Sequence, residues 1–306
     1  MANLFPIITI KSSKPGPEGL IIAGVHGDEY EPILAVRQLI NELKGKIGKG
    51  SLTLVPVVNK GAFLAGSRLG LDGLDLARTC PGKKVGSITE QVAHEISKLI
   101  RKADFLIDMH TGGNLFEISP LSGYMMHPNS EVLDTQRAMA EAFNLPIIWG
   151  TSPDLEGRTL SVARDENVPA IYTEYRGGGY YPDGIGDLVD GCKNVLAYFG
   201  MFPSVKGDSK VTLKIEDNQP GSGHLQEMYP APEEGVFVVT VELGQEVRQN
   251  EVLGYLCDFY GEKKIEVHTL QAGRIFLIRA VPMAKKGDAL AGILSAGNSN
   301  YYEKIG

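Results

Sequence analysis

His26 and Glu29 stand three residues apart in Gly24-Val25-His26-Gly27-Asp28-Glu29, directly after the apolar run Leu20-Ile21-Ile22-Ala23. A second apolar run, Phe105-Leu106-Ile107-Asp108-Met109, ends at His110. Two imidazoles and one carboxylate are the kind of set with which catalytic zinc takes three protein ligands and keeps a fourth position for water. A third run, Val168-Pro169-Ala170-Ile171-Tyr172-Thr173-Glu174, closes on a carboxylate suited to general-base work. If these three strand ends converge, metal-assisted hydrolysis is the expected chemistry. Each feature also has a plainer reading. Glu29 suits the N-terminus of a helix, His26 suits a loop, and a lone His-x-x-Glu arises often by chance.

The neighbours of these residues extend the pattern. Asp108 precedes His110 by two, which places both on one face of a strand. It can orient a ligand histidine through the second ring nitrogen, or pair with a basic side chain for structural reasons. The Gly-rich stretch from Ser67 to Gly82 carries Arg68 and Arg78. A guanidinium fork matches carboxylates, so one arginine can hold a substrate carboxylate and the other a developing oxyanion. The alternative is that both pair with Asp72 or Asp75 at the surface. Tyr172, Tyr175, Tyr180 and Tyr181 flank Glu174 as pocket lining or as packing residues. His94, His127, His224 and His268 have weaker claims, although the stretch around His224 is where a following domain can lend a residue to the cleft.

Positioning such residues requires rigid elements. Residues 20–25, 52–58, 105–109, 146–149 and 170–173 read as short apolar strands, and residues 31–43, 130–143 and 186–199 as helices. Ser87, followed three residues later by Glu90, marks a capping-box start for a further helix to about Arg101. Strands alternating with helices imply an α/β fold with a mostly parallel sheet, whose ligands bind at the carboxyl ends of the strands. His26, His110 and Glu174 all fall at such ends. Residues 203–222 are polar and without a sustained apolar period, so they read as a linker between a catalytic domain of residues 1–202 and an all-β domain of residues 223–306. In the latter, β-rich runs at 236–241, 252–257, 264–268 and 274–278 alternate with turns.

The chain has 306 residues, 43% hydrophobic and 22% charged, with 37 glycines. A net charge of −7 argues against a nucleic-acid backbone as partner, while a few local arginines still allow a small anionic substrate. No apolar run approaches the roughly 18–20 residues needed to span a bilayer, and the first residues lack a secretory pattern. Cys80, Cys192 and Cys257 are odd in number and widely spaced, which suits reduced thiols in the cytoplasm. The exposed edges of the β domain offer a surface for pairing with another subunit.

Taken together, His26-Gly27-Asp28-Glu29, Arg68, Asp75-Leu76-Ala77-Arg78 before Pro81-Gly82, Asp108-Met109-His110, and Thr173-Glu174 before Gly177-Gly178-Gly179 resemble the succinylglutamate desuccinylase/aspartoacylase family. That family is the deacylase branch of the zinc carboxypeptidase-like enzymes. Each motif is weak alone; their order and spacing are specific. The resemblance implies a mixed, mostly parallel sheet flanked by helices, with a small barrel-sandwich-like C-terminal β domain. It implies one Zn²⁺ per chain held by His26, Glu29 and His110, with Glu174 as base and later proton donor. It further implies Arg68 on the carbonyl oxygen, Arg78 on the substrate carboxylate, and a small N-acylated amino acid or related amine as substrate. One residue departs from the pattern: Ala77 stands where the family usually has Asn, so one amide contact is missing. Either the substrate is not an ordinary N-acyl amino acid carboxylate, or Tyr180 or Tyr181 supplies a replacement contact. Two other readings compete. One is a carboxypeptidase-like peptidase with an open cleft, and the other is a non-catalytic metal-binding or carrier protein, although Lys263 and Lys264 lack the flanking sequence of a carrier lysine.

Overall fold

Nine strands share one sheet in the computed structural model, which describes residues 4–204, 207–225, 228–295 and 301–305. In chain order the first two-thirds forms β1 (Ile8–Lys11), β2 (Glu18–Ala23), α1 (Tyr30–Leu43), β3 (Ser51–Val55), α2 (Lys60–Ala65), a 3₁₀ turn (Leu76–Arg78) and α3 (Ile88–Ile100). There follow β4 (Phe105–His110), β5 (Phe116–Ile118), β6 (Leu121–Met125), α4 (Ser130–Phe143), β7 (Ile147–Thr151), α5 (Thr159–Asp165), β8 (Ala170–Glu174) and α6 (Gly184–Tyr198). The remainder is β9 (Leu213–Glu216), β10 (Gly235–Val239), β11 (Glu246–Val247), β12 (Val252–Cys257), β13 (Lys264–His268), β14 (Gly273–Arg279), β15 (Met283–Ala284), β16 (Ala291–Leu294) and β17 (Tyr301–Lys304).

The large sheet runs β1-β3-β2-β4-β8-β6-β7-β9-β17. Strands β3, β2, β4 and β8 are mutually parallel, β6 is antiparallel to β8, and β7 and β9 continue parallel to β6. The sheet is therefore mixed with a parallel core. Strand β4 is buried along its whole length, as expected of a central strand covered on both faces. Its alternation sorts the core. Ile107 and Met109 pack with Ile21, Val36 and Leu188 beneath α1, α4 and α6. Leu106 points the other way and packs with Leu20, Ile22, Val92 and Ile96 beneath α3 and α5. Asp108 and His110 follow Leu106 to that second face by the period of two. The expected capping box is present: Ser87 N–H donates to Glu90 Oε2 at 2.9 Å, and Glu90 N–H returns to Ser87 Oγ at 3.4 Å.

The segment read as a polar linker is partly sheet. Residues 213–216 form β9, paired parallel with β7. Leu213 and Ile215 alternate inward and are fully covered, whereas the flanking Lys214 and Glu216 made so short a strand look polar. The C-terminal region is likewise tied to the main sheet. Its own strands form the sheets β13-β12-β10-β15 and β11-β14-β16, but β14 also pairs with β5, and β17 pairs with β9. Phe276, Leu277 and Leu294 pack directly against Phe116, Leu121 and Trp149. Two further strands escaped the pattern for different reasons: β5 alternates, but over only three residues, and β6 has no alternation because it is buried at every position.

Candidate active site

The three expected strand ends converge. In the register of the sheet His110 lies directly opposite Glu174, and β2, which leads to His26, is the neighbour of β4 on its other side. Gly27 lets this turn come close to α2: a Cβ at that position would lie 2.0 Å from the Ala62 carbonyl carbon, and Gly27 N–H donates to Ser67 O at 2.9 Å. Glu29 occupies the residue before α1 and makes no side-chain cap there, so its carboxylate is turned to other partners.

Those partners are the two histidines. His26 Nδ1 lies 2.7 Å from Glu29 Oε1 and His110 Nδ1 lies 2.9 Å from Glu29 Oε2. The ring centroids are 5.1 Å apart. One donor atom from each of the three residues falls within 4.8 Å of the others. The opposite ring nitrogens face carboxylates: His26 Nε2 is 3.0 Å from Asp75 Oδ1, and His110 Nε2 is 3.2 Å from Asp108 Oδ1. A histidine that gives its Nε2–H to a carboxylate keeps the Nδ1 lone pair for an ion, so the donor set fits a zinc-type cation. Asp108 is itself held by the Thr159 hydroxyl at the start of α5.

Charge follows this geometry. Burial pushes the Glu29 carboxyl upward, but the two histidines outweigh it and hold it far below the usual range. Burial lowers His110, and the opposing pull of Asp108 and Glu29 raises it well above an ordinary imidazole. A divalent ion bound at His110 has to displace the proton that this imidazole holds. Glu174 behaves differently. Burial, helped by Glu29, pushes it up to about 8 against the pull of His110, Arg68 and Arg158, and its Oε2 is buried without a hydrogen-bond partner among the described residues.

A cavity opens over this cluster, lined by His26, Arg68, Ala77, Arg78, Asp108, His110 and Glu174. Both arginines of the Gly-rich loop reach it. Arg68 also pairs with Asp75, its Nη2 lying 3.0 Å from Oδ2, so the plainer pairing and the cleft placement hold together. Asp72 is occupied elsewhere, accepting from Thr89 N–H at 2.9 Å and Thr89 Oγ1–H at 2.6 Å. Asp75 also caps the 3₁₀ turn through Ala77 N–H at 2.9 Å, which sets the height at which Arg78 enters. Tyr180 and Tyr181 are not brought in. Tyr180 is 54% exposed, and Tyr181 stacks beneath Arg176 while its N–H goes to Glu31. Gly177 and Gly178 adopt φ +111° and +71° in the turn between Glu174 and those tyrosines. Tyr172 does line the cavity.

Of two further contributions, only the second had a sequence signal. Arg158 lines the cavity from the residue before α5, and Gly223 and Leu225 wall it from the region beyond β9. The stretch around His224 was therefore the right place to look for a lent residue, but the residues lining the cavity are its two neighbours. Cys80 and Cys192 are buried and their thiols pushed up, Cys80 to about 12, which leaves them no nucleophilic role.

Comparison with known proteins matches residues 15–199 to the succinylglutamate desuccinylase/aspartoacylase catalytic domain. The chain belongs to this family. It is 29% identical over 301 residues to an N-alpha-acetyl-L-2,4-diaminobutyric acid deacetylase of Halomonas elongata, covering 95% of this chain and 85% of that protein. Among solved structures, the product-bound ectoine utilization protein EutE (DoeB) of Ruegeria pomeroyi is 26% identical with a TM-score of 0.86, over 94% of this chain and 88% of that one. A succinylglutamate desuccinylase/aspartoacylase from Rhodobacter sphaeroides is 25% identical with a TM-score of 0.85, over 98% and 90%. Family membership supports a hydrolase of the deacylase kind, and the mixed α/β fold with added antiparallel sheets is shared with these structures. Among the described residues no helix is long and apolar enough to cross a membrane.

Proposed function

We propose that this protein is a zinc-dependent deacylase that cleaves the amide bond of a small N-acylated amino acid or related amine. The observation that carries this reading is the orientation of the two histidines. Both Nδ1 atoms meet one carboxylate at 2.7 and 2.9 Å, both Nε2 atoms face aspartates, and Glu174 stands beside them with an oxygen unpartnered among the described residues. His26, Glu29 and His110 would hold the ion, which when bound acidifies water and polarises a carbonyl oxygen.

The remaining work falls to side chains of this chain. Glu174 accepts a proton from the attacking water at its open Oε2 and delivers it to the departing nitrogen. A carboxyl displaced towards neutrality by burial can do both within one cycle. Arg68, oriented by Asp75, faces the carbonyl oxygen as charge develops there. Arg78 offers its guanidinium to the carboxylate of the substrate. Gly223, Leu225 and the β5 residues Phe116 and Ile118 wall the cavity, which favours a small molecule over a polypeptide threaded through an open cleft.

The test is a panel of N-acetyl and N-succinyl amino acids, Nα-acetyl-L-2,4-diaminobutyric acid and dipeptides, assayed with added Zn²⁺. Glu174→Gln is expected to keep its metal and lose about 10²–10⁴-fold in turnover. Full activity in that variant removes Glu174 as the base. Cleavage of the dipeptides alone would replace a deacylase with a peptidase.

A further inference from the structure

Large apolar side chains lie in the open on one side of the catalytic domain. A groove there is lined by Leu4, Phe5, Ile8, Val57, Phe63 and Leu64, and Lys60 is the only charged residue along it. Leu64, on α2, carries this surface towards the arginine loop. A Cβ at Gly61, one turn earlier, would lie 3.0 Å from Leu71 Cγ, so Leu71 rests against α2. The same loop is fastened to the start of α3, where Asp72 accepts from Thr89 beside Ile88, and Gly70 N–H folds back to Leu74 O at 2.9 Å. Ile8, Leu64, Leu71, Leu74 and Ile88 are each between 39% and 75% exposed. Together they show roughly 500 Å² of apolar surface, near the top of the range for the largest patch on a monomer. The half-buried Leu4, Ile7 and Phe63 extend the face towards the roughly 800 Å² that each partner contributes to a stable interface. Scarcity of charge in its middle is the composition of an interface core.

The backbone beside this patch selects the occupant. Strand β1 ends the nine-stranded sheet: it pairs with β3 on one side, and among the described residues no strand pairs with its other side. Ile8, Thr9 and Lys11 are exposed along it. An edge strand presents a row of N–H and C=O groups that seek partners. A lipid surface takes up leucines but offers main-chain groups nothing to bond. A second strand offers both donors and acceptors. A strand that pairs antiparallel with its own copy about a twofold axis satisfies both edges in one contact, and such a contact closes at two subunits.

We infer that this face is the interface between two copies of the chain, built from β1, α2 and the outer side of the loop around Leu71 and Leu74. It lies on the catalytic domain and not on the edges of the C-terminal β domain. Its position has a consequence for the cleft. The loop that the second copy covers is the one that carries Arg68, Asp75 and Arg78 on its inner side. A loop made of turns opens at little cost unless its apolar side chains are covered, so the second copy holds the arginines in place. That consequence rests on the deacylase reading; the association itself does not.

The experiment follows the mass of the full chain by analytical ultracentrifugation. Wild-type protein is expected to sediment as a dimer with a Kd at or below about 1 μM, the weak end for interfaces of this size. Leu64→Glu and Leu71→Glu each weaken association at least about thirtyfold, as charges placed in an interface centre do. Phe259→Glu, at a more exposed apolar position on the β12–β13 hairpin, leaves it unchanged. Hydrogen exchange of wild-type protein locates the contact without any variant: residues 8–11 and 69–74 are protected above the Kd relative to below it, and residues 258–262 are not. A wild-type monomer well above that concentration overturns the inference. So does a dimer that survives both leucine variants, one that Phe259→Glu dissociates, or one without protection at residues 8–11 and 69–74. A monomer that pellets with phosphatidylglycerol vesicles gives the patch to a lipid surface and also overturns it. Where N-acyl amino acids are cleaved, activity per chain falls on dilution through the Kd; constant activity removes the second copy from the support of the arginines. A dimer at this face that cleaves no N-acyl amino acid leaves the interface standing and the deacylase reading fallen. Thermal unfolding establishes that the variants fold.

Discussion

Asp75→Asn isolates the support behind the first histidine. In the folded protein this carboxylate makes four polar contacts: Oδ1 with His26 Nε2 at 3.0 Å and Ala77 N–H at 2.9 Å, and Oδ2 with Arg68 Nε at 3.1 Å and Nη2 at 3.0 Å. Burial opposes the charge, but His26 and the two arginines of the loop hold the carboxyl far below the usual range. An asparagine can keep its oxygen towards Ala77 and His26, which preserves the 3₁₀ turn. Its NH₂ then faces the Arg68 guanidinium, donor against donor. The charge that favours the His26 tautomer with a vacant Nδ1 is lost at the same time. Outer partners of ligand histidines are worth about 10–100-fold in metal affinity, or about 1.4–2.7 kcal/mol. Competition against a chromophoric chelator reads this directly. Saturating Zn²⁺ should then restore occupancy but not full kcat, because Arg68 has lost its anchor. Metal affinity within about twofold of wild type, together with full kcat at saturating Zn²⁺, would refute the assignment of Asp75 to both tasks.

Three further outcomes test other parts of the structure. His110→Ala is expected to abolish stoichiometric zinc, read by inductively coupled plasma measurement, since it removes one of three ligands while leaving β4 buried in place. Gly27→Ala places a methyl 2.0 Å from the Ala62 carbonyl carbon and should cost about 1–3 kcal/mol in chemical denaturation, with impaired metal binding because the His26 turn is displaced. The third concerns acid. Burial raises the Glu216 carboxyl, but Arg137 at 2.8 and 2.9 Å and the Tyr124 hydroxyl at 2.6 Å outweigh it and depress it. A depressed carboxyl stabilises the fold above its unfolded value of 4.5, and this contribution is lost as pH falls through the lower folded value. Glu216→Gln should therefore flatten the decline of stability below about pH 4.5, and an unchanged slope would remove the triad from the account of acid unfolding.

How much of this was legible in the chain depended on whether a residue's role is set locally. His26, Glu29, His110 and Glu174 each end or follow an apolar run, so their strand-end position could be read from pattern alone. Asp108 was legible too, through the period of two. Strand β9 was not, because four residues with two charges carry too little alternation to stand out from a polar segment. Arg158 was invisible for a different reason. Its place in the cleft arises from the approach of Gly157 to Arg78, a contact between segments 79 residues apart that no spacing rule connects. Tyr180 and Tyr181 failed in the opposite sense: proximity to Glu174 in sequence suggested a role, but neither side chain lines the cavity.

The pairing of β14 with β5 has a consequence for synthesis on the ribosome. Every residue proposed to hold metal or move a proton lies before residue 175, and a nascent chain can in principle assemble β2, β4 and β8 early. The wall from Gly223 and Leu225, and the strand that pins Phe116 and Ile118, arrive only after residue 222 and residue 279 have been translated. Until then the ligand cluster is open to solvent and the edge of β5 is unpaired. The wall of the cavity is thus the last part of the site to be synthesised, well after the histidine and glutamate residues it covers.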